Sequence, residues 1–151
     1  MRQITLVIIH CSATRCNHRY TFDMCRRDHI RHNGWKDIGY HYYVETDGTV
    51  HRGRAEAVAG AHCKNHNAHS IGICYEGGLD ASGRAADTRT EAQKRSLLSL
   101  LCTLRVRYPH ALILGHRDLS PDIDGNGLIT PNEYIKQCPC FDAVKEYGDN
   151  L

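Results

Sequence analysis

Three residues of this 151-residue chain carry side chains suited to a soft divalent cation, each at a place where a scaffold could present it. His10 closes the apolar run "ITLVIIH" and His116 closes "ALILGH", while Cys138 stands in "KQCPC", a polar, kinked context unsuited to core burial. Two imidazoles and one thiolate make a donor set for Zn²⁺ that leaves the fourth tetrahedral position to water. Each residue also has an ordinary reading. A histidine that ends a strand is commonly only a polar terminus, and C-P-C could be a redox pair or contribute to a disulfide. The three lie far apart along the chain, so spacing alone does not assemble them.

Between His116 and Cys138 lies a second chemical pattern, "DIDGNGLITPNE". Asp122, Asp124, Asn126, Gly127 and Glu133 match D-x-[DN]-x-[DN]-G-x5-E, with Leu128 placed to offer its backbone carbonyl and Ile129 as the apolar residue that follows. Such a loop supplies the oxygen ligands Ca²⁺ prefers. Pro121 prevents a helix from entering it in the usual way. Thr130-Pro131-Asn132-Glu133 also reads as a capping box with Pro at the first helical position. Glu133 therefore has two compatible readings, calcium ligand and helix-start acid. Residues 120–133 read as an insertion within one domain spanning 1–151.

Composition limits what these sites can serve. A net charge of +2 is too small an electrostatic footprint for nucleic acid. No apolar run reaches the roughly 18 residues a membrane span needs. The apolar stretch Ile4 to Ile9 is too short for a signal peptide and runs into polar sequence, so it reads as a buried strand. The 11 histidines, several in polar loops, favour metal or proton chemistry over core filling. The 8 cysteines show no disulfide-framework spacing. Cys11, Cys63, Cys74 and Cys102, in or beside apolar stretches, read as small buried hydrophobes.

The elements that must position these residues are legible in turn. "ITLVIIH" predicts a central strand. Thr21 caps a helix with Phe22, Cys25 and Ile30 on its apolar face, ended by Gly34. "GYHYYVETDGTVHRGR" predicts a hairpin about Asp47-Gly48. "AGAHCKNHNAHS" reads as a loop, "SIGICYEGG" as a strand, and Asp80 to Asp87 as an exposed loop. "TEAQKRSLLSLLCTLRVRYP" predicts a helix capped by Thr90 and closed before Pro109, with Leu97, Leu98, Leu101, Leu104 and Val106 on its apolar face. "ALILGH" is a last short strand. The order predicts an α/β domain, a single mixed β-sheet flanked by helices.

Five stretches in this order, "IIHCSAT", "GWKDIGYHYYVETDGTVHRGR", "GAHCKNHNAHSIGICYEGGLD", "GHRD" and "KQCPCFD", resemble the zinc-dependent N-acetylmuramoyl-L-alanine amidases of the phage T7 lysozyme type, whose fold peptidoglycan recognition proteins share. The resemblance runs from the first strand to Asp142. It implies that His10, His116 and Cys138 are the Zn²⁺ ligands, that Tyr40 and Lys136 are the catalytic pair, and that the amide between N-acetylmuramic acid and L-alanine in peptidoglycan is cleaved. It also implies a surface cleft, near which His62, Asn67, His69, His41, Trp35 and Arg54 are candidate substrate contacts. The expected protein is a monomer made in the cytoplasm and acting on the cell wall after release or delivery by another route, as an endolysin, a recycling enzyme or a toxin, with the single domain favouring an endolysin. It needs no nucleic-acid or membrane partner. Close relatives have only a short segment where this chain carries its calcium-loop-like insertion.

Overall fold

A computed structural model describes all residues, Met1–Leu151. Its frame is a five-stranded sheet of order β4-β3-β5-β1-β7, with β1 Leu6–Cys11, β3 Tyr42–Val44, β4 Val50–Arg52, β5 Ser70–Tyr75 and β7 Leu112–Gly115. β1 runs parallel to both β5 and β7, and β3 runs parallel to β5; only the hairpin partner β4 is antiparallel. The β-branched run "LVIIHC" thus lies inside the sheet, as a strand apolar on both faces must. A parallel pair not expected from sequence, β2 Thr14–Arg15 with β6 Gly78–Leu79, stands beside the main sheet. The hairpin closes through Glu45 and Thr49, with Gly48 at φ 87, so its turn is wider than Asp47-Gly48 alone.

The two long helices follow their sequence signals. α1 spans Phe22–Asn33, with Thr21 accepting from the Met24 amide and Gly34 in the left-handed conformation at the other end. α2 spans Glu91–Arg107, and Thr90 and Gln93 form a reciprocal capping box. Its buried stripe is Gln93, Leu97, Leu101 and Leu104, whereas Leu98 and Val106 are exposed. At about 100° per residue, Val106 falls roughly opposite Leu97, so the broader expected face narrows to one stripe. Cys102 on this helix is likewise exposed, while Cys11, Cys63 and Cys74 are buried as expected. No helix is long and apolar enough to cross a membrane.

Strand alternation divides the molecule. Val7, Ile9, Ile71, Ile73 and Tyr75 join Leu97, Leu101 and Leu104 in the main core. The intervening residues face the other way, where Cys25 of α1 meets Ile38, Tyr43 and Cys74 in a smaller cluster. His10, Ser70 and Gly72 share this second face.

Candidate active site

The site grows from the strand order. β1 and β7 are parallel neighbours, so their carboxyl ends emerge together. His10 lies near the end of β1, and His116 opens the 3₁₀ turn His116–Leu119 directly after β7. Their rings lie 4.7 Å apart. The chain then leaves on its insertion and returns. The Arg117 amide donates to the Cys138 carbonyl at 2.8 Å, and the Ile135 amide donates to Ser120 Oγ at 3.1 Å. These bonds close the base of the excursion and bring Cys138 beside the two histidines. Ligand atoms of His10, His116 and Cys138 all lie within 4.8 Å of one another.

The surroundings suit a soft cation. The Cys11 amide donates to Cys138 Sγ at 3.2 Å, which fixes the sulfur beside the end of β1. His10 is buried, and burial, with His62, His116 and Lys136 nearby, holds it well below its ordinary pKa. It is therefore a neutral imidazole with a lone pair to give. Pro139 is held from two sides. Tyr75 donates its hydroxyl to the Pro139 carbonyl at 2.5 Å, and Gly115 leaves the space its ring fills. Larger hollows elsewhere, such as the one lined by Tyr42, Arg52 and Arg107, include none of these residues. Chemistry rather than cavity size locates the site.

The family model described as N-acetylmuramoyl-L-alanine amidase matches residues 1–139, a span that holds all three clustered residues. The chain belongs to the N-acetylmuramoyl-L-alanine amidase family. It is 36% identical over 144 residues to the endolysin of Escherichia phage T7, covering 95% of this chain and 85% of that one. The fold matches the N-acetylmuramoyl-L-alanine amidase LysC of Clostridium intestinale URNW with a TM-score of 0.71 at 24% identity, covering 96% of this chain and 82% of that one. It matches Drosophila PGRP-LB with a TM-score of 0.71 at 22% identity, covering 97% and 80%. The reaction of the amidase is hydrolysis of the bond between N-acetylmuramic acid and L-alanine in peptidoglycan.

In this amidase the Tyr40 ring lies 5.3 Å from that of His10 and packs against the smaller core cluster. Burial, with the thiols of Cys74, Cys138 and Cys25 nearby, raises its phenol well above the ordinary value, so the group carries its proton at neutral pH. Lys136 is exposed and lines a small recess with His116, Leu119, Ser120 and Ile135. It follows the 3₁₀ turn Pro131–Glu133 and stands on an irregular segment.

The six candidate substrate contacts separate. His41 is buried; its Nδ1 accepts from the Gly72 amide and its Nε2 lies 2.9 Å from the Val58 carbonyl, so both ring nitrogens have backbone partners. Arg54 spends its guanidinium on the carbonyls of Ile38 and Ala59. Asn67 Oδ1 accepts from the amides of His62 and Cys63 and so shapes the loop from within. The His69 ring pairs with His66, and Trp35 leans edge-on against His29. His62 stands directly behind His10, with Nδ1 2.8 Å from His10 Nε2; burial, with His41 and His116 nearby, lowers its pKa to about 3. His29 was not legible as a site residue. Its Nδ1 accepts from the Gly39 amide and its ring lies 5.6 Å from Tyr40, an arrangement no local motif announces.

In the insertion, Asp122, Asp124 and Glu133 bring carboxylate oxygens within 4.8 Å of one another, and Gly127 turns at φ 84. The Glu133 oxygens accept from the amides of Ile123, Asp124 and Thr130. The Thr130 box thus starts a single 3₁₀ turn where a longer helix was expected.

Proposed function

We propose that the amidase is a zinc enzyme in which His10, His116 and Cys138 hold Zn²⁺ and Tyr40 and Lys136 serve the reacting carbonyl. The observation that carries this reading is the convergence of the two histidines and the cysteine. The donor set fits the ion, since two neutral imidazoles and one thiolate leave a position open. A zinc ion there supplies Lewis acidity, which brings the pKa of water to about 7 and polarises a carbonyl. Tyr40 donates its phenolic proton to orient water or to steady the tetrahedral oxygen. Lys136, exposed beside His116, offers a positive charge to the same developing oxyanion; one such donor is typically worth about 3 kcal/mol.

Digestion of purified peptidoglycan tests the reaction. New N-terminal alanine is expected, and release of sugar reducing ends instead would make the protein a glycosidase. Elemental analysis should find about one Zn²⁺ per chain, and that metal should vanish with His10→Ala. The protein acts as a monomer on the cell wall after release from the cytoplasm, in the manner of an endolysin.

The insertion binds Ca²⁺ in this reading through Asp122, Asp124, Asn126, the Leu128 carbonyl and Glu133. The fully matched motif and the converging carboxylates support it. A cation would relieve their mutual repulsion and stiffen the segment that leads to Lys136 and Cys138. Affinity is expected to be weak, about 10⁻⁵ to 10⁻³ M, because one loop lacks a paired partner. Ca²⁺ should raise Tm, and Asp124→Ala should abolish the rise while leaving Zn²⁺ bound. Absence of calorimetric heat at millimolar Ca²⁺ would leave the insertion as a capped turn.

A further inference from the structure

We infer that His62 is a positioning residue for the metal centre: its Nδ1 receives the Nε2 proton of His10 and so fixes which nitrogen, and which ring orientation, His10 offers to a cation. This rests on the zinc reading of His10, His116 and Cys138. The two nitrogens are 2.8 Å apart and the rings meet edge-on at 87°. A neutral imidazole has one donor and one acceptor nitrogen, so only one proton can lie between the rings.

The far side of His62 offers a partner for its other nitrogen, and a serine hydroxyl can accept a proton there. Ser70 Oγ, fully buried, lies 3.2 Å from His62 Nε2. With Nε2–H donated to Ser70, His62 Nδ1 is left as an acceptor. His10 must then be protonated on Nε2, which leaves Nδ1 as the nitrogen free for a metal. Each tautomer determines the next, and all groups stay neutral.

The ring of His62 is also clamped. A Cβ on Gly72 would lie 2.5 Å from its Cδ2, and one on Gly60 would lie 2.6 Å from the same atom. Only glycine at these positions lets the imidazole lie flat over β5. Asn67 Oδ1 holds the backbone of His62 and Cys63 from the other side, at 2.9 and 3.0 Å. A residue meant to follow a flexible glycan would not need such a seat. Outer partners of ligating histidines typically alter metal affinity by about 10–100-fold.

The test uses the full chain, with Zn²⁺ affinity measured by chelator competition and the Co²⁺-substituted protein read by its visible absorption. His62→Phe keeps a flat ring over Gly72 and removes the hydrogen bond. It should fold, weaken Zn²⁺ binding by about 10–100-fold and shift the Co²⁺ bands. His62→Gln, which can accept from His10 and donate to Ser70, should recover most of the affinity and the spectrum. Unchanged affinity and spectrum in His62→Phe would overturn the inference, as would a rise in KM alone, which would make His62 a substrate contact. If the unaltered protein holds no Zn²⁺, or His10→Ala holds it equally well, the zinc reading fails and takes this inference with it. That signature is distinct from failure of His62 alone.

Discussion

At the scale of single residues, the site depends as much on missing side chains as on reactive ones. Gly115 ends β7 just before His116, and a Cβ there would lie 2.5 Å from Pro139 Cδ and 2.9 Å from its Cγ. Pro139 follows Cys138 and is already held by Tyr75, so it cannot retreat freely. Gly115→Ala is therefore expected to destabilise by about 1–3 kcal/mol through overpacking and, in the proposed zinc reading, to weaken Zn²⁺ binding, because the strain falls beside Cys138. Urea unfolding together with chelator competition checks both parts; wild-type zinc affinity would show that the Pro139 turn yields without moving Cys138. Tyr40→Phe and Lys136→Ala make the complementary case. Neither side chain belongs to the ligand cluster, so both variants should retain metal and Tm. Each should lose about 10²–10³-fold in kcat, measured as release of N-terminal alanine. Normal turnover by both would remove them from the reaction.

At the scale of elements, α2 shows how periodicity over-reports a face. Five apolar residues suggested a broad stripe, but the sheet takes only the one through Leu97, Leu101 and Leu104. Leu101→Ala should cost about 2–5 kcal/mol, whereas Leu98→Ala, at a 46% exposed position, should stay within about 0.5 kcal/mol. Thermal or urea denaturation decides, and equal losses would mean that α2 is rotated. The same helix ends legibly because its signals are local. Thr90 and Gln93 satisfy each other's backbone amides three residues apart, and Thr90→Ala should cost about 1 kcal/mol. The β2–β6 pair had no such signal. Two-residue strands carry no readable alternation, and their pairing depends on where the chain returns after β5.

Across the whole molecule, the last residues are fastened to the core by one buried arginine. Arg89 stacks 3.4 Å from the Phe141 ring and donates to Asp87 and Glu146. Burial pushes the Asp87 carboxyl up, but hydrogen bonding and charge from Arg89 outweigh it and leave the pKa below the usual value. A carboxylate whose folded pKa is depressed contributes stability that is present above the unfolded pKa and lost as pH falls through the folded one. Stability should therefore fall below about pH 4, and Asp87→Asn should flatten that part of the profile in urea titrations. An identical slope in the variant would assign acid sensitivity elsewhere. Arg89→Ala should cost about 2 kcal/mol, less than the roughly 3–5 kcal/mol typical of a broken buried pair, because both carboxylates are partly exposed and can rehydrate.

The sequence by itself determined what local physics controls. The β-branched run of β1, the Thr21 and Gly34 caps of α1, the capping box of α2 and the hairpin about Gly48 all follow from residues within a few positions of one another. It also offered donor types suited to a soft cation, but His10, His116 and Cys138 could be joined only by resemblance, since nothing in their spacing brings them together. Tertiary structure decided that meeting. β7 lies parallel beside β1, so their ends share one edge, and the Arg117–Cys138 hydrogen bond closes the insertion so that the thiol returns to that edge. It also set His62 against His10 and bonded His41 to Gly72 and Val58. Which way an imidazole faces depends on the side-chain-free Gly72 of another strand, and on a serine whose alternation puts it on the same face. Such facts exist only once the strands are paired.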